Sequence, residues 1–135
     1  MSNLTYVAPF FIVAHIKPSV AFYVDKLGFQ LLYMLPEEDP FFAMVYRDKV
    51  HIMLKAIAPD VQPVPNRTRH EWARWDAYIS TMDLDVLYEE YRAKGVIFHQ
   101  PLRVNDDNLL GFELADADGY ILFFGRPRLS QPEMS

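Results

Sequence analysis

Residues 18–29 read PSVAFYVDKLGF, and this stretch determines how the rest of the chain divides into elements. Pro18 suits the first turn of a helix because its missing N–H would have no partner there, and Ser19 can cap the free backbone groups. Gly28 is placed where glycine commonly ends a helix. The apolar residues between these positions recur at helical spacing: Val20, Phe22, Tyr23 and Leu27. The stretch therefore predicts a short amphipathic helix that ends at Gly28.

Strands are predicted on both sides of this helix. The apolar run 6–16 precedes it, and its pattern is that of a buried strand. Three more strands follow it, at 29–35, 41–46 and 50–57. The same order returns later in the chain, with a strand at 75–81, a helix at 83–94 and strands at 96–99, 111–115 and 120–125. The prolines within 58–69 predict no regular element there, and 70–74 are expected to form one helical turn.

The two halves of the chain form an internal repeat. Gly28 and Gly95 each end a predicted helix and lie 67 positions apart, and the hairpin residues Asp48 and Asp118 lie 70 positions apart. A repeat of this size determines the architecture. It predicts an α+β fold of two tandem βαβββ modules, about 6–57 and 75–127, joined by a linker of about 58–74 within a single domain, 1–135.

Composition restricts the function classes. The chain has 135 residues, is 51% hydrophobic and 23% charged, and so is too apolar for a disordered segment and too charged for a membrane bundle. Its net charge of −5 argues against nucleic acid as a partner. The absence of cysteine excludes disulfides and thiolate chemistry. We therefore expect a cytoplasmic protein that binds neither nucleic acid nor a membrane.

The helix stretch resembles a known motif. Residues 19–29 match the S-x-x-FY-x-x-x-LGF helix of the glyoxalase, bleomycin-resistance and extradiol dioxygenase superfamily, also called vicinal oxygen chelate proteins. Residues 42–48 resemble the strand and hairpin that follow it. Residues 116–120 resemble the family's D-P-D-G-N turn, with Ala117 in place of proline. The resemblance is closest to the bleomycin-resistance branch, and it implies cupped mixed sheets and a homodimer with ligand clefts.

In the enzymes of this superfamily, His, Glu or Gln side chains on the first and last strand of each module hold a divalent metal. The resemblance places the four ligand positions at Ala8, Met53, Asp76 and Phe123. Only Asp76 carries a donor that suits a hard divalent ion. The sequence therefore predicts no metal, no cofactor and no catalytic residue. A displaced site that uses His51, on the same strand face as Met53, together with Asp76 remains an alternative.

The expected ligand site is apolar and aromatic. Strand alternation sets Phe10 near Ala8, Lys55 beside Met53 and Tyr78 beside Asp76. Of Phe112 and Glu113, which face opposite sides of one strand, only one can reach a given cleft. The predicted ligand-binding residues are Phe10, Met53, Trp72, Trp75, Asp76, Tyr78, Phe112, Glu113 and Phe123.

Together with these residues, the resemblance to the bleomycin-resistance branch implies a metal-free protein that sequesters an aromatic small molecule, in the manner of antibiotic-resistance proteins. Residues 71–135 hold 12 acidic and 6 basic side chains, against 6 and 7 in residues 1–70, so the ligand could be cationic. We regard enzymatic activity as the less favoured interpretation. The alternative is a metal-dependent lyase, isomerase or dioxygenase that uses His51 and Asp76. A third hypothesis is a sensing or assembly module that binds no ligand tightly.

Overall fold

The structure is a computed structural model that describes residues 2–128. Its contacts divide the chain into two compact units. Unit 1 comprises the described residues up to Val64 together with Asp116–Tyr120, and unit 2 comprises Pro65–Ala115 and the described residues from Ile121 onward. Across residues 2–128, none of the helices combines the length and the apolar character needed to cross a membrane.

Unit 1 contains one four-stranded mixed sheet. Its strands are β1 (Phe10–Ile12), β2 (Gln30–Leu35), β3 (Phe42–Arg47) and β4 (Val50–Lys55). They lie in the order β1-β4-β3-β2, with β1 parallel to β4 and the other pairs antiparallel. Helix α1 (Ile16–Ala21) continues as a π-helical turn, Phe22–Lys26. The core of the unit contains fully buried side chains from helix and sheet: Tyr23, Leu27, Val45, Ile52 and Leu54.

Unit 2 repeats this arrangement. Its strands are β5 (Ala77–Ser80), β6 (Phe98–Val104), β7 (Leu109–Ala115) and β8 (Ile121–Pro127), in the order β5-β8-β7-β6. Helix α2 (Leu84–Ala93) begins after Asp83, whose carboxylate accepts a hydrogen bond from Val86 N–H at 3.2 Å. Aromatic rings of α2, β7 and β8 form the core: Tyr91, Phe112 and Phe124.

The predicted α+β fold of two βαβββ modules is confirmed, with differences at the ends of elements. The first strand is shorter than the apolar run that predicted it, and β6 extends past Pro101 to Val104. Where one helical turn is expected at 70–74, the structure has a single hydrogen-bonded turn, in which Ala73 N–H donates to the His70 carbonyl at 3.0 Å. A 3₁₀ turn also lies at Asn66–Thr68, within the predicted irregular linker, and the Thr68 hydroxyl donates to the carbonyl of the preceding Pro65 at 2.6 Å.

The π-helical turn explains a mismatch in the internal repeat. Tyr23 and Tyr91 are both fully buried and lie 68 positions apart, whereas Gly28 and Gly95 lie 67 apart. In unit 1 the Phe29 N–H donates to the carbonyl of Tyr23, and in unit 2 the Val96 N–H donates to that of Tyr91, each over 3.0 Å. The first helix therefore holds one extra residue within an otherwise equivalent ending, and a π-helical turn accommodates such an insertion.

Candidate functional site

An aromatic stack occupies one face of the unit 2 sheet. Phe123 on β8 pairs with Tyr78 on β5 and with Glu113 on β7, so the three side chains share a face. The Phe123 ring is only 2% exposed and lies over Gly111 and Gly125, where an added Cβ would come within 2.7 Å of it. The two glycines, which pair across β7 and β8, thus make room for the ring.

Trp75 covers the Phe123 ring. The two rings stack with centroids 4.5 Å apart and planes 15° from parallel, and Tyr78 contacts Phe123 from another side at 5.6 Å. Tyr78 remains 42% exposed, so part of its ring is open to solvent. Offset stacking of this kind adds about 0.5–1.5 kcal/mol per pair beyond the burial of apolar area. Trp75 is therefore held in place by the sheet itself.

A buried carboxylate fixes the edge of this stack. Glu113, 5% exposed, accepts a hydrogen bond from Trp75 Nε1–H at 3.0 Å, and its other oxygen lies 3.0 Å from His99 Nδ1. Arg67 lies 3.4 Å from His99 Nε2. A guanidinium can only donate, so these contacts are satisfied when Nε2 accepts and Nδ1–H donates to Glu113. The Glu113 carboxylate thus has two donors, Trp75 Nε1–H and His99 Nδ1–H, and buried polar groups need such partners.

Asp76 holds the backbone of unit 2. One of its carboxylate oxygens accepts from Asn66 N–H and the other from Ile121 N–H, each at 2.8 Å. The side chain thereby joins the start of β5 to the linker and to the start of β8. Hydrogen bonds to a carboxylate are the strong ones in proteins, which gives Asp76 a structural role in this geometry.

The remaining predicted residues lie apart from this stack. Trp72 is 80% exposed and its ring contacts that of His70 at 5.4 Å. Phe112 and Glu113 face opposite sides of β7, as alternation requires. Phe112 is fully buried against Tyr88, Tyr91, Phe98 and Phe124, on the helix side of the sheet.

The four positions that hold a metal in the superfamily's enzymes do not fit a divalent ion here. Ala8 and Phe123 have no donor, Met53 offers only a thioether, and both oxygens of Asp76 accept backbone N–H groups. His51, the proposed displaced ligand, stacks on Tyr6 with ring centroids 3.6 Å apart. Within residues 2–128 no group of three or more His, Asp or Glu side chains could hold an ion.

Unit 1 contains an apolar pocket of about 580 Å³. It lies between β1, β3 and β4 and the β2–β3 loop, which the hydrogen bond from Phe41 N–H to the carbonyl of Leu35 closes at 2.9 Å. On β4, Met53 and Lys55 face the pocket while Ile52 and Leu54 are fully buried on the other side. The lining residues are Phe10, Leu35, Pro36, Phe41, Phe42, Met53 and Lys55.

The pocket corresponds by the internal repeat to the stack in unit 2. Phe10 pairs with Met53 across β1 and β4, and Tyr78 pairs with Phe123 across β5 and β8. The first residues of these pairs lie 68 positions apart and the second residues 70 apart. In unit 2 Trp75 covers the equivalent face, whereas in unit 1 Phe10 is 52% exposed at the pocket.

Sequence reasoning did not identify the pocket wall formed by the β2–β3 connection. Leu35, Phe41 and Phe42 flank the connection between the strands predicted at 29–35 and 41–46, and Pro36 lies within it. Two of these side chains are large, apolar and still exposed: Leu35 at 51% and Phe41 at 47%. Aromatic residues directly beside a proline-bounded turn were the available signal, because a turn brings the ends of its two strands together.

A second buried carboxylate lies in unit 1, outside the pocket. Asp116 is 6% exposed, and its carboxylate accepts a hydrogen bond from the Tyr23 hydroxyl at 2.6 Å. The backbone N–H groups of Asp118 and Tyr120 also donate to it, each at 2.9 Å. Burial raises the pKa of Asp116 from about 3.8 to about 6, although these hydrogen bonds oppose the shift. The pKa of Asp116 therefore lies at about 6.

Solved structures share this fold. TioX from Micromonospora sp. ML1 superposes with a TM-score of 0.70 at 18% identity, over 91% of this chain and 98% of that one. The bleomycin-binding protein of Streptomyces verticillus, solved with copper(II)-bleomycin, gives 0.65 at 22% identity over 92% and 97%. TnmS3, an antibiotic binding protein from Streptomyces sp. CB03234, gives 0.64 at 19% identity over 94% and 98%.

The sequence itself gives the family. A search of curated proteins found no match. The sequence profile of the glyoxalase/bleomycin resistance protein/dioxygenase superfamily, however, matches residues 4–124. Because this match covers nearly the whole chain and includes the helix at residues 18–29, the chain belongs to the glyoxalase/bleomycin resistance protein/dioxygenase superfamily.

Proposed function

We propose that this protein binds and sequesters an aromatic small molecule without a metal ion. The observation that carries the proposal is the unit 1 pocket. Its volume of about 580 Å³ is in the range typical of small-molecule sites. Phe10 and Phe41 line it with about half of each side chain exposed, so their rings are available to a planar ligand.

Proteins with this fold include antibiotic binders as well as a glyoxalase-related enzyme. Two of the proteins with this fold are described as antibiotic-binding or bleomycin-binding. Sequestration needs affinity and abundance, and it does not need the metal that the superfamily's lyases and dioxygenases use. The residues at the four metal-ligand positions favour metal-free binding, because they do not form a site for a divalent ion: Ala8, Met53, Asp76 and Phe123. Antibiotic resistance by sequestration in the cytoplasm is the role that we propose.

The charge of the ligand is a separate matter. The expectation of a cationic ligand came from the acidic excess of residues 71–135. The two acidic residues of that half that are predicted at the ligand site, Asp76 and Glu113, already hold partners inside unit 2. We therefore do not assign them to a ligand cation. The aromatic stack of Trp75, Tyr78 and Phe123 remains a second proposed contact surface, through the exposed part of Tyr78.

A thermal-shift and calorimetric screen of planar aromatic compounds tests this function. We expect at least one to bind, with a stabilisation of about 2–3 kcal/mol at 100-fold excess over its Kd. Phe10→Ala and Phe41→Ala should each weaken binding about tenfold or more, because each removes an aromatic wall of the pocket. Val86→Ala, 63% exposed on α2, is the matched control and should leave affinity unchanged.

The same titrations with EDTA address the metal. We expect the affinity to be unchanged by the chelator, because no protein-held ion takes part. A screen without any stabilising compound would contradict the proposed function and favour an assembly or sensing module. A ligand that binds only in the absence of EDTA would contradict the metal-free part and favour the metal-dependent alternative.

We further propose that the protein forms a homodimer through the β2 edge of unit 1. β2 is the last strand of its sheet, and it exposes Leu31, Leu32 and Leu35 at 41%, 48% and 51%. An apolar exposed edge strand is a common site of association. Sedimentation should give about twice the 15.8 kDa chain mass, and a Leu31→Glu/Leu32→Glu variant should sediment as a monomer. A wild-type monomer at micromolar concentration would contradict the dimer.

A further inference from the structure

One charged side chain lines the otherwise apolar pocket of unit 1. Lys55 lies at the end of β4, where it pairs with Ile12 on β1 and Phe42 on β3. Its ammonium nitrogen lies 5.9 Å from the centre of the Phe41 ring. The alternation of β4 places it on the same face as Met53, directed at the pocket. Its position in the wall is thus set by the register of the sheet.

This ammonium has no acidic partner in residues 2–128. Its one close interaction in that range is the contact with the Phe41 ring. Glu37, Glu38 and Asp39 follow the pocket residue Pro36, but they are exposed in the turn and form no ion pair with Lys55. Exposed charges are strongly screened by water and salt. Lys55 is only partly exposed and adjoins apolar walls, where its charge acts with less screening.

We propose that the pocket selects an aromatic compound that carries an anionic group, such as a carboxylate. The ring would lie against Phe10 and Phe41, and the carboxylate would pair with the Lys55 ammonium. Such a pair supplies a charge-assisted hydrogen bond at the one polar point of an apolar site. This inference rests on the proposed binding function and adds the class of ligand. It makes Lys55 a residue that determines specificity.

Three probes of the same aromatic skeleton test the inference: 2-naphthoate, 2-naphthamide and 2-(aminomethyl)naphthalene. We expect wild-type protein to bind the carboxylate about tenfold more tightly than the neutral amide, and the amine most weakly. Raising the salt concentration should weaken the binding of the carboxylate only. Equal binding of all three probes, or a preference for the amine, would overturn the inference while leaving aromatic binding intact.

Variants at two lysines complete the test. Lys55→Met keeps the length of the side chain without its charge, so it should lose the preference for the carboxylate and keep the affinity for the amide within about threefold. Lys55→Arg should retain the preference. Lys49→Met, in the exposed β3–β4 turn, is the control and should behave as wild type. A preference that persists in Lys55→Met would overturn the role of Lys55, and failure of all three probes to bind wild type would overturn the aromatic site itself.

Discussion

Phe123→Ala is expected to lower the free energy of unfolding by about 3–5 kcal/mol. The ring is 2% exposed and is enclosed by Trp75, Tyr78 and the backbone of Gly111 and Gly125. Removal of the ring leaves a cavity on the glycine pair and takes away two aromatic contacts at once. Urea unfolding followed by far-UV circular dichroism gives the change directly.

Phe123→Leu is the matched control for this experiment. It retains most of the apolar volume without a flat ring, so we expect about half the loss or less. The chain has two tryptophans, and in a Trp72→Phe background the fluorescence reports on Trp75 alone. Phe123→Ala should then shift the emission of Trp75 towards that of a solvated indole. A loss under about 1 kcal/mol, or an unchanged emission, would contradict the stacked arrangement.

The second large effect concerns pH. The pKa of Asp116 is raised by burial from about 3.8 to about 6, so the folded state binds this proton more tightly than the unfolded state. The stabilisation that comes from this more tightly bound proton on Asp116 is therefore fully present below about pH 4. It falls as pH rises towards 6 and is lost above pH 6. The difference between the two pKa values corresponds to about 3 kcal/mol.

Asp116→Asn removes this titration while preserving an acceptor for the backbone N–H groups. We expect its stability relative to wild type to rise by about 2–3 kcal/mol between pH 4 and pH 7.5. The stability of Tyr23→Phe relative to wild type should instead fall as pH rises, because the Tyr23 hydroxyl group stabilises the Asp116 carboxylate through a 2.6 Å hydrogen bond. It should steepen the loss of stability as pH rises.

Asp60→Asn, at an exposed loop position, controls for the loss of one negative charge. Its stability relative to wild type should change little over the same pH range, because Asp60 lies in an exposed loop where water and salt screen its charge. Equilibrium unfolding at five or six pH values measures all three variants. Parallel curves for wild type and Asp116→Asn would show that Asp116 does not titrate between pH 4 and 7.

The fold followed from local signals in the sequence. Gly28 and Gly95 adopt the positive φ angles of 74° and 79° that a helix-ending glycine provides. The apolar spacing between residues 18 and 29 predicted a helix between strands, and the same order of strands and helix recurs in the second half of the chain. The π-helical turn within Phe22–Lys26 could not be predicted, because a single inserted residue leaves the apolar pattern nearly unchanged.

The candidate site was predicted only in part, for a physical reason. The family resemblance places Met53 at a ligand position, and strand alternation places Phe10 near Ala8; both side chains line the unit 1 pocket. Leu35 and Phe41 were not expected there, because their approach depends on the conformation of the loop between two strands. The hydrogen-bond partners of Asp76 could not be predicted either, because they are backbone N–H groups of two residues far apart in sequence, Asn66 and Ile121.

The hairpin Asp116–Tyr120 belongs to unit 1, although it connects the last two strands of unit 2. Within unit 1 its Tyr120 ring stacks on Phe11 at 4.3 Å, and its Tyr120 hydroxyl donates to the Ile12 carbonyl at 2.6 Å. Residues 2–64 alone would therefore lack part of their own core. A fragment of residues 2–64 is therefore expected to fold fully only when a second segment supplies the Tyr120 side chain of this hairpin.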